Sequence, residues 1–572
     1  MVLARLVDGD TAEDVQRTTL SVDALGRFVC NTWQEATANG GPPFSAVIVG
    51  AGMYGAYLAA KLFRQDGAAR ILVLDAGPFL VSEHVQNIGP IGLNVPPAVE
   101  PASDPGVARE VIWGLPWRGN VEFPGLAYCV GGKSLYWGGW CPRLTAADLS
   151  MWPSAVASDL DDNYLRVESE TGVVPGTDFI FGPLYDNLRD RLVAAAGSTP
   201  NIETSIGDNG VQSPPLAVQG ESPDSGLFSF DKYSSVPLLI HAVREDVAAS
   251  SGNDANRRLF VVPLAHVVKL HTVGDVVDTL EVDVGGQRRW LPVTPGCAVV
   301  LAASAVESTR LALHSFPTPL MGRNLMAHVR SDFTVRVRTS ALSVSARPVR
   351  TAAHLVRGVA PTGRFHLQVT ASTGRGGSDE LLYRMVPDLD LLERHLANDD
   401  PQWVTITLRG VGEMHGDRTA AVPASPGSWI NLSPWEHDEY GVPRAFVRLV
   451  LSGEDRETWR LMDETAVSIG QAVAGTANDI EYLYDGGWRS QPFPTSRPFP
   501  EWRRGLGSTY HESGTLWMGD DSSTSVTDTT GRFHHVSNAY ACDQSLFPTV
   551  GSVNPVLTGL VLARRLADHL TT

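Results

Sequence analysis

The chain has 572 residues, 43% hydrophobic and 19% charged, enough to bury a large core and to divide into two domains built from interleaved segments. Its formal charge of −18 argues against nucleic acid or an anionic membrane surface as partner, because both need clustered lysine and arginine; a neutral small ligand is expected instead. The most apolar stretch, "CAVVLAASAV" at 297–306, and the start "MVLARLVDGDTAEDVQ" contain neither a membrane span nor a basic-then-apolar leader, so the cytoplasm is the expected location.

Residues 1–40 read as an extra, partly helical extension with no legible chemistry. The five cysteines, Cys30, Cys129, Cys141, Cys297 and Cys542, lack any C-x-x-C spacing and are expected to be buried thiols. The first chemical motif is "SAVIVGAGMYG" at 45–55, a β-branched run turning into Gly50-x-Gly52-x-x-Gly55, then a helical "AYLAAKLFRQDG" and a second buried strand, "RILVLDAG", ending near Asp75. Gly50 permits the tight turn, Gly52 admits a pyrophosphate to the helix N-terminus, Gly55 allows close helix to strand packing, and Asp75 stands where a ribose would be bound. This is a dinucleotide-binding unit. A Pro/Gly-rich passage at 78–124 follows instead of further βα units, which favours FAD, a cofactor wrapped from several sides, over NAD.

"GGKSLYWGGWCPR" at 131–143 contains the Gly-Lys-Ser of a nucleotide-triphosphate loop, but Ala127 stands where such a loop needs its first glycine. The stretch around 159–174 reads as a helix, and 257–286 as strands joined by turns. Short alternating runs from Ser331 to Trp502, among them "FTVRVRT", "RFHLQVTA", "WVTITLRG" and "RAFVRLVL", point to a large sheet. Tryptophans 113, 117, 137, 140, 403 and 435 are mostly expected in core or domain packing. Near the end, His511 lies in "STYHESGTLWMG" and Asn554-Pro555 precede an amphipathic final helix. His534 and His535 read as loop residues, and no metal-ligand cluster is visible.

The order of these segments, with "GCAVVLAASAVESTRL" at 296–311, "GRNLMAH" at 322–328 and Arg143 closing the Gly131-Gly132-x-Ser134 segment, resembles the glucose-methanol-choline (GMC) oxidoreductases from about Ser45 onward. Within that family it is most similar to the pyranose oxidases and the bacterial C-glycoside 3-oxidases. The resemblance implies an α/β fold, with a Rossmann-like FAD-binding domain over 41–180, 230–330 and 503–572. A substrate domain with a large, mostly antiparallel sheet would take 181–229 and 331–502. It places the catalytic histidine at His511 and its polar companion at Asn554. It implies cofactor contacts at Gly50, Gly52, Met53, Tyr54, Gly55, Asp75, Gly131, Gly132, Ser134, Tyr136, Trp137, Gly138, Val267, Asp543, Pro555 and Val556.

Two positions depart from the fungal pyranose oxidases. Tyr136 stands where a histidine links covalently to the flavin, so FAD is expected without a covalent bond, and Gly138 stands where a threonine lies near flavin N5. The expected reaction is oxidation of a secondary ring hydroxyl, at C2 or C3, of a pyranose or pyranosyl glycoside, C-glycosides included, with O2 reduced to H2O2. The alternatives are a dehydrogenase using a quinone-type acceptor and a lyase on the same fold.

Overall fold

The computed structural model describes residues 26–87, 113–114, 117–121, 125–175, 180–219, 231–344, 351–373, 389–396, 398, 400–419, 426–494, 496–497 and 500–572. Strand β1 (Ala46–Val49) turns into α1 (Met53–Gln65) and returns as β2 (Ile71–Leu74). Helices α2 (Ser154–Thr171) and α3 (Ser235–Ala249) precede β3 (Leu259–Val262). A meander follows, β4 (Ala265–Val273), β5 (Val276–Val284) and β6 (Gln287–Pro292), then β7 (Ala298–Leu301) and α4 (Ala305–Ser315).

Strands β8 (His328–Arg338), β9 (Thr351–Ala360), β10 (Gly363–Ser372) and β11 (Trp403–Glu413) come next, followed by α5 (Gly453–Ala474), β12 (Ile480–Tyr484) and β13 (Gly487–Arg489). The chain ends with β14 (Ala539–Ala541) and α6 (Val556–Leu570).

The first sheet is parallel throughout, in the order β3-β2-β1-β7-β14. Its strands "AVIV", "ILVL", "LFVV" and "AVVL" are buried at every position, as continuous apolar runs must be when both faces are covered. Helix α1 packs against α3 and α6, and the meander packs against α4. The last strand arrives from more than two hundred residues downstream of β7, so the final segment is built into this sheet.

The second sheet is antiparallel, in the order β13-β12-β8-β11-β10-β9 with a short edge strand, Val211–Gln212. The two-residue period of a strand gives it two unlike faces. Ser331, Phe333, Val335 and Leu408 face α5, where Gly410 and Gly412 admit the Met462 side chain and Trp459 donates to Ser331 Oγ at 2.8 Å. His328, Arg330, Asp332, Arg409, His366 and Gln368 share the opposite face.

Several expectations are corrected here. The run "RAFVRLVL" does form a strand, Pro443–Arg448, but in a separate three-stranded sheet with Trp429–His437 and Trp117–Gly119; alternation predicts a strand without choosing its partner. The 22-residue α5 interrupts a region read as sheet, and its start is marked by a capping box between Ser452 and Asp455. Trp117, Trp140 and Trp403 are buried, whereas Trp435 is 84% exposed, not packed inside; the Trp113 side chain lies outside the described residues. All five cysteines are buried thiols outside any disulfide. Of the N-terminal extension, residues 1–25 lie outside the description, and Trp33–Thr37 is a short capped helix. Among the described residues no helix is long and apolar enough to cross a membrane and no metal-ligand cluster occurs.

Candidate active site

The site lies where the carboxyl ends of the parallel strands meet the polar face of the antiparallel sheet. Gly50 adopts φ +102° in the turn after β1, and a Cβ there would lie 2.6 Å from the Ala302 carbonyl oxygen. Gly55, one turn into α1, lies so close to the Gly50 carbonyl that a Cβ would overlap it. Gly52 is the N-cap of α1, and a Cβ there would meet no protein atom within 4 Å. The open face at a helix N-terminus fits an anionic phosphate group.

The predicted cofactor residues converge on this turn. Gly131 donates its N–H to Ala51 O at 2.8 Å, and Gly132 sits so near that its Cβ would lie 3.2 Å from Gly52 Cα. Ser134 Oγ closes its own loop by donating to Gly131 O at 2.6 Å, while Ser235 Oγ donates to Met53 O at 2.6 Å. Tyr54 donates to Gln544 Oε1 at 3.1 Å, tying α1 to the C-terminal segment.

Asp75 is buried and accepts the N–H groups of Ala51 (2.8 Å) and Gly77 (2.9 Å), so it holds the glycine turn. Burial raises its carboxyl above the ordinary range against those two bonds. Val267 is buried on β4, two residues beyond Ala265, whose N–H donates to Asp75 O at 2.8 Å. Asp543 is buried, accepts from Ser308 Oγ (2.6 Å) and the Ser545 N–H (2.9 Å), and is likewise raised by burial. Tyr136, Trp137 and Gly138 are half-buried. Trp137 is fixed at both ends: its Nε1 donates to Tyr233 O at 2.7 Å, and its carbonyl lies 3.0 Å from Nε2 of the buried His84. Pro555 and Val556 open α6, directly after Asn554.

His511 reaches the site through an antiparallel bridge: Met326 and Ser513 exchange backbone hydrogen bonds of 3.0 and 2.9 Å. Counting two residues outward on each strand places His328 opposite His511, and their Nδ1 atoms are 2.8 Å apart. His511 Nε2 lies 3.4 Å from Asn554 Nδ2. Asn554 Oδ1 accepts from Gln368 Nε2 at 3.0 Å, and Gln368 Nε2 also lies 3.1 Å from His366 Nε2. Two consecutive carbonyls complete the cluster, Gly551 O at 2.9 Å from His328 Nε2 and Ser552 O against His366 Nδ1.

The surroundings keep these imidazoles neutral. Burial, then the proximity of His328, Lys133, His366 and Arg330, holds His511 well below the usual histidine range. Burial lowers His328 to about 4, against its bond to Gly551, and His366 to about 3, where Arg357 adds to the effect. Farther along the same sheet face, burial would raise the Asp332 carboxyl, but Arg330, Arg409 and Arg504 around it hold it below the carboxylate range. Lys133 stands 3.7 Å from the buried Glu512 carboxylate. His328, His366 and Gln368 were not assigned from sequence; their signal was a polar residue at every second position, His328-x-Arg330-x-Asp332 and His366-x-Gln368.

Residues 423–563 match the C-terminal family model of the GMC oxidoreductases, which are flavoproteins. The C-glycoside 3-oxidase of Microbacterium trichothecenolyticum is 25% identical over 552 residues, 91% of this chain and 95% of that protein. The 5-(hydroxymethyl)furfural oxidase of Methylovorus sp. (strain MP688) is 38% identical over 71 residues, 12% of this chain and 13% of its own length. Among solved structures, pyridoxine 4-oxidase from Mesorbium loti aligns with a TM-score of 0.54 at 17% identity, covering 92% of this chain and 98% of that one. A formate oxidase from Aspergillus oryzae RIB40, in a structure concerned with FAD modification, aligns with a TM-score of 0.58 at 15% identity, covering 93% and 98%.

Proposed function

We propose that this chain, which carries the C-terminal domain and the fold of the GMC oxidoreductases, is an FAD-dependent sugar oxidase. It converts a secondary ring hydroxyl, at C2 or C3, of a pyranose or pyranosyl glycoside to a ketone and passes the electrons to O2, forming H2O2. C-glycosides are within its range, and it works in the cytoplasm. The observation that supports this reading best is the pairing of a neutral, half-buried His511 with Asn554, 3.4 Å apart, beside a glycine turn open to a dinucleotide.

The Gly50–Gly55 turn and the amides at the start of α1 would hold the pyrophosphate, Asp75 the ribose, and the 131–138 loop and the start of α6 the flavin. When bound, FAD supplies the acceptor for the substrate hydride. Tyr136 offers no imidazole nitrogen for a covalent link, so the cofactor is held by contacts alone. Segments 41–180, 230–330 and 503–572 form the cofactor domain, and 181–229 and 331–502 the substrate domain, whose polar sheet face closes over the ring.

A substrate hydroxyl between His511 Nε2 and Asn554 Nδ2 donates its proton to the imidazole and accepts an N–H from the amide. Proton removal by a positioned general base contributes roughly 10²- to 10⁴-fold. The cationic neighbours Lys133 and Arg330 disfavour a lasting imidazolium, which speeds proton release after turnover.

The test is anaerobic mixing of flavin-replete protein with glucose, xylose and a C-glycoside, followed by NMR of the products and readmission of oxygen. Bleaching, a keto-sugar and peroxide are expected. Bleaching without peroxide would make the chain a dehydrogenase, absence of bleaching with product formed would make it a lyase, and bleaching only by simple alcohols, choline or sterols would overturn the sugar reading.

A further inference from the structure

The segment "GRNLMAH" at 322–328, which the sequence singles out without giving it a role, ends on His328. We infer that His328 is a positioning residue that fixes the tautomer of His511, so that the lone pair of the base always faces the substrate. The inference rests on the reading of His511 as the base.

The argument is an accounting of protons. A carbonyl oxygen only accepts, so the 2.9 Å contact between His328 Nε2 and Gly551 O places the His328 proton on Nε2. His328 is buried and neutral at pH 7, which leaves its Nδ1 bare. The 2.8 Å contact between the two Nδ1 atoms then needs a donor, and only His511 can provide it. His511 is also neutral, so its one proton sits on Nδ1 and its Nε2 carries the lone pair. Nε2 is the atom that faces Asn554.

The same reasoning orients the companion. His366 meets Ser552 O through Nδ1 and so donates there, leaving its Nε2 to accept from Gln368 Nε2 at 3.1 Å. Gln368 Nε2 also donates to the Asn554 amide at 3.0 Å, which makes that atom the Asn554 oxygen and turns Nδ2 toward His511. Two neighbouring carbonyls on the loop that carries Asn554 thus set the proton on the base and the direction of its companion. A histidine held in the wrong tautomer presents an N–H where a lone pair is required; in serine proteases that error costs on the order of 10⁴-fold in kcat.

The titratable and charged groups facing His511 are His328 from β8, Lys133 from the 131–138 loop, the neutral His366 from β10 and Arg330 from β8, with Glu512 next to it in sequence; Glu413 lies across from His328 on β11. Of these, His328 alone is a hydrogen-bond partner of His511 Nδ1.

Histidine-selective 15N NMR of the flavin-loaded protein reads the tautomers without turnover. His511 is expected with a protonated Nδ1 and a bare Nε2, and the reverse assignment would overturn the inference. In His328→Leu, flavin reduction should slow by on the order of 10²-fold or more, with kcat falling and KM nearly unchanged. His328→Asp, which restores an acceptor at Nδ1, should recover most of that loss and move the pH profile of reduction upward, because a carboxylate beside the base favours its protonated form. Equal impairment of both variants with an unshifted profile would reduce His328 to a structural residue and overturn the proposal. If His328→Leu does not fold, the wild-type NMR assignment decides alone. Failure of the base reading is seen separately, as wild-type flavin reduction in His511→Ala.

Discussion

Replacing Gly52 and Gly55 by alanine, one at a time, separates two physical reasons for glycine within one motif. Alanine favours a helix interior by ~1 kcal/mol over glycine, so Gly55→Ala would stabilise α1 if space allowed. It does not: the new methyl would overlap the Gly50 carbonyl oxygen and lie 3.1 Å from Ala302 Cβ, and both neighbours belong to the packed β1, β7 and α1 junction. Overpacking against backbone costs roughly 1–3 kcal/mol or more, which outweighs the propensity gain, so the net change is destabilising. Gly52→Ala meets no protein atom within 4 Å and its φ of −72° suits alanine, leaving a weakened N-cap as the main cost to the apoprotein, up to ~1 kcal/mol. Its methyl points into the space assigned to the pyrophosphate. Urea denaturation of the deflavinated proteins and titration with FAD by fluorescence read the two effects apart. Gly55→Ala should lose stability even without flavin, and Gly52→Ala should lose FAD affinity by tenfold or more with the apoprotein midpoint little changed. Wild-type FAD affinity in Gly52→Ala would refute the placement of the cofactor at this helix terminus.

His511→Ala should remain yellow while flavin reduction falls by on the order of 10²- to 10⁴-fold, with Asn554→Ala less impaired; stopped-flow bleaching under anaerobic conditions reads both. Acid precipitation should release yellow flavin into the supernatant, and flavin retained in the washed pellet would contradict the non-covalent reading built on Tyr136. Folding stability should fall with acid, because His328 and His354 are depressed to about 4 and His366 and His395 to about 3. These groups are neutral when folded and bind protons when unfolded, so their stabilisation is present above pH ~6.5 and is lost as pH falls toward ~4 for the first pair and ~3 for the second. Each shift corresponds to a few kcal/mol at most, and a urea midpoint that stays flat from pH 7 to pH 5 would contradict the burial argument.

The glycine turn, the strand and helix around it and Asp75 were legible in the sequence because their signals are local, whereas His511 and Asn554 were singled out there only by the family resemblance. A strand that must be buried on both faces is apolar throughout, and a turn that needs φ +102° at Gly50 with no room for a Cβ at Gly55 must use glycine. Alternation also marked the strands of the antiparallel sheet. What a local pattern cannot carry is the identity of the strand across the gap. The Met326–Ser513 bridge joins positions 187 residues apart and alone decides that His328, outwardly one more polar residue at a strand end, meets His511. The same holds for His366 and Gln368, placed beside Asn554 by the pairing of β10 with β11 and of β11 with β8, and for Pro443–Arg448, whose alternation is that of any strand but whose partners lie in another sheet. Residue chemistry and the two-residue period are properties of the sequence. Which donor faces which acceptor, and so where the protons of the site reside, was fixed only when long-range pairing closed the two sheets on each other.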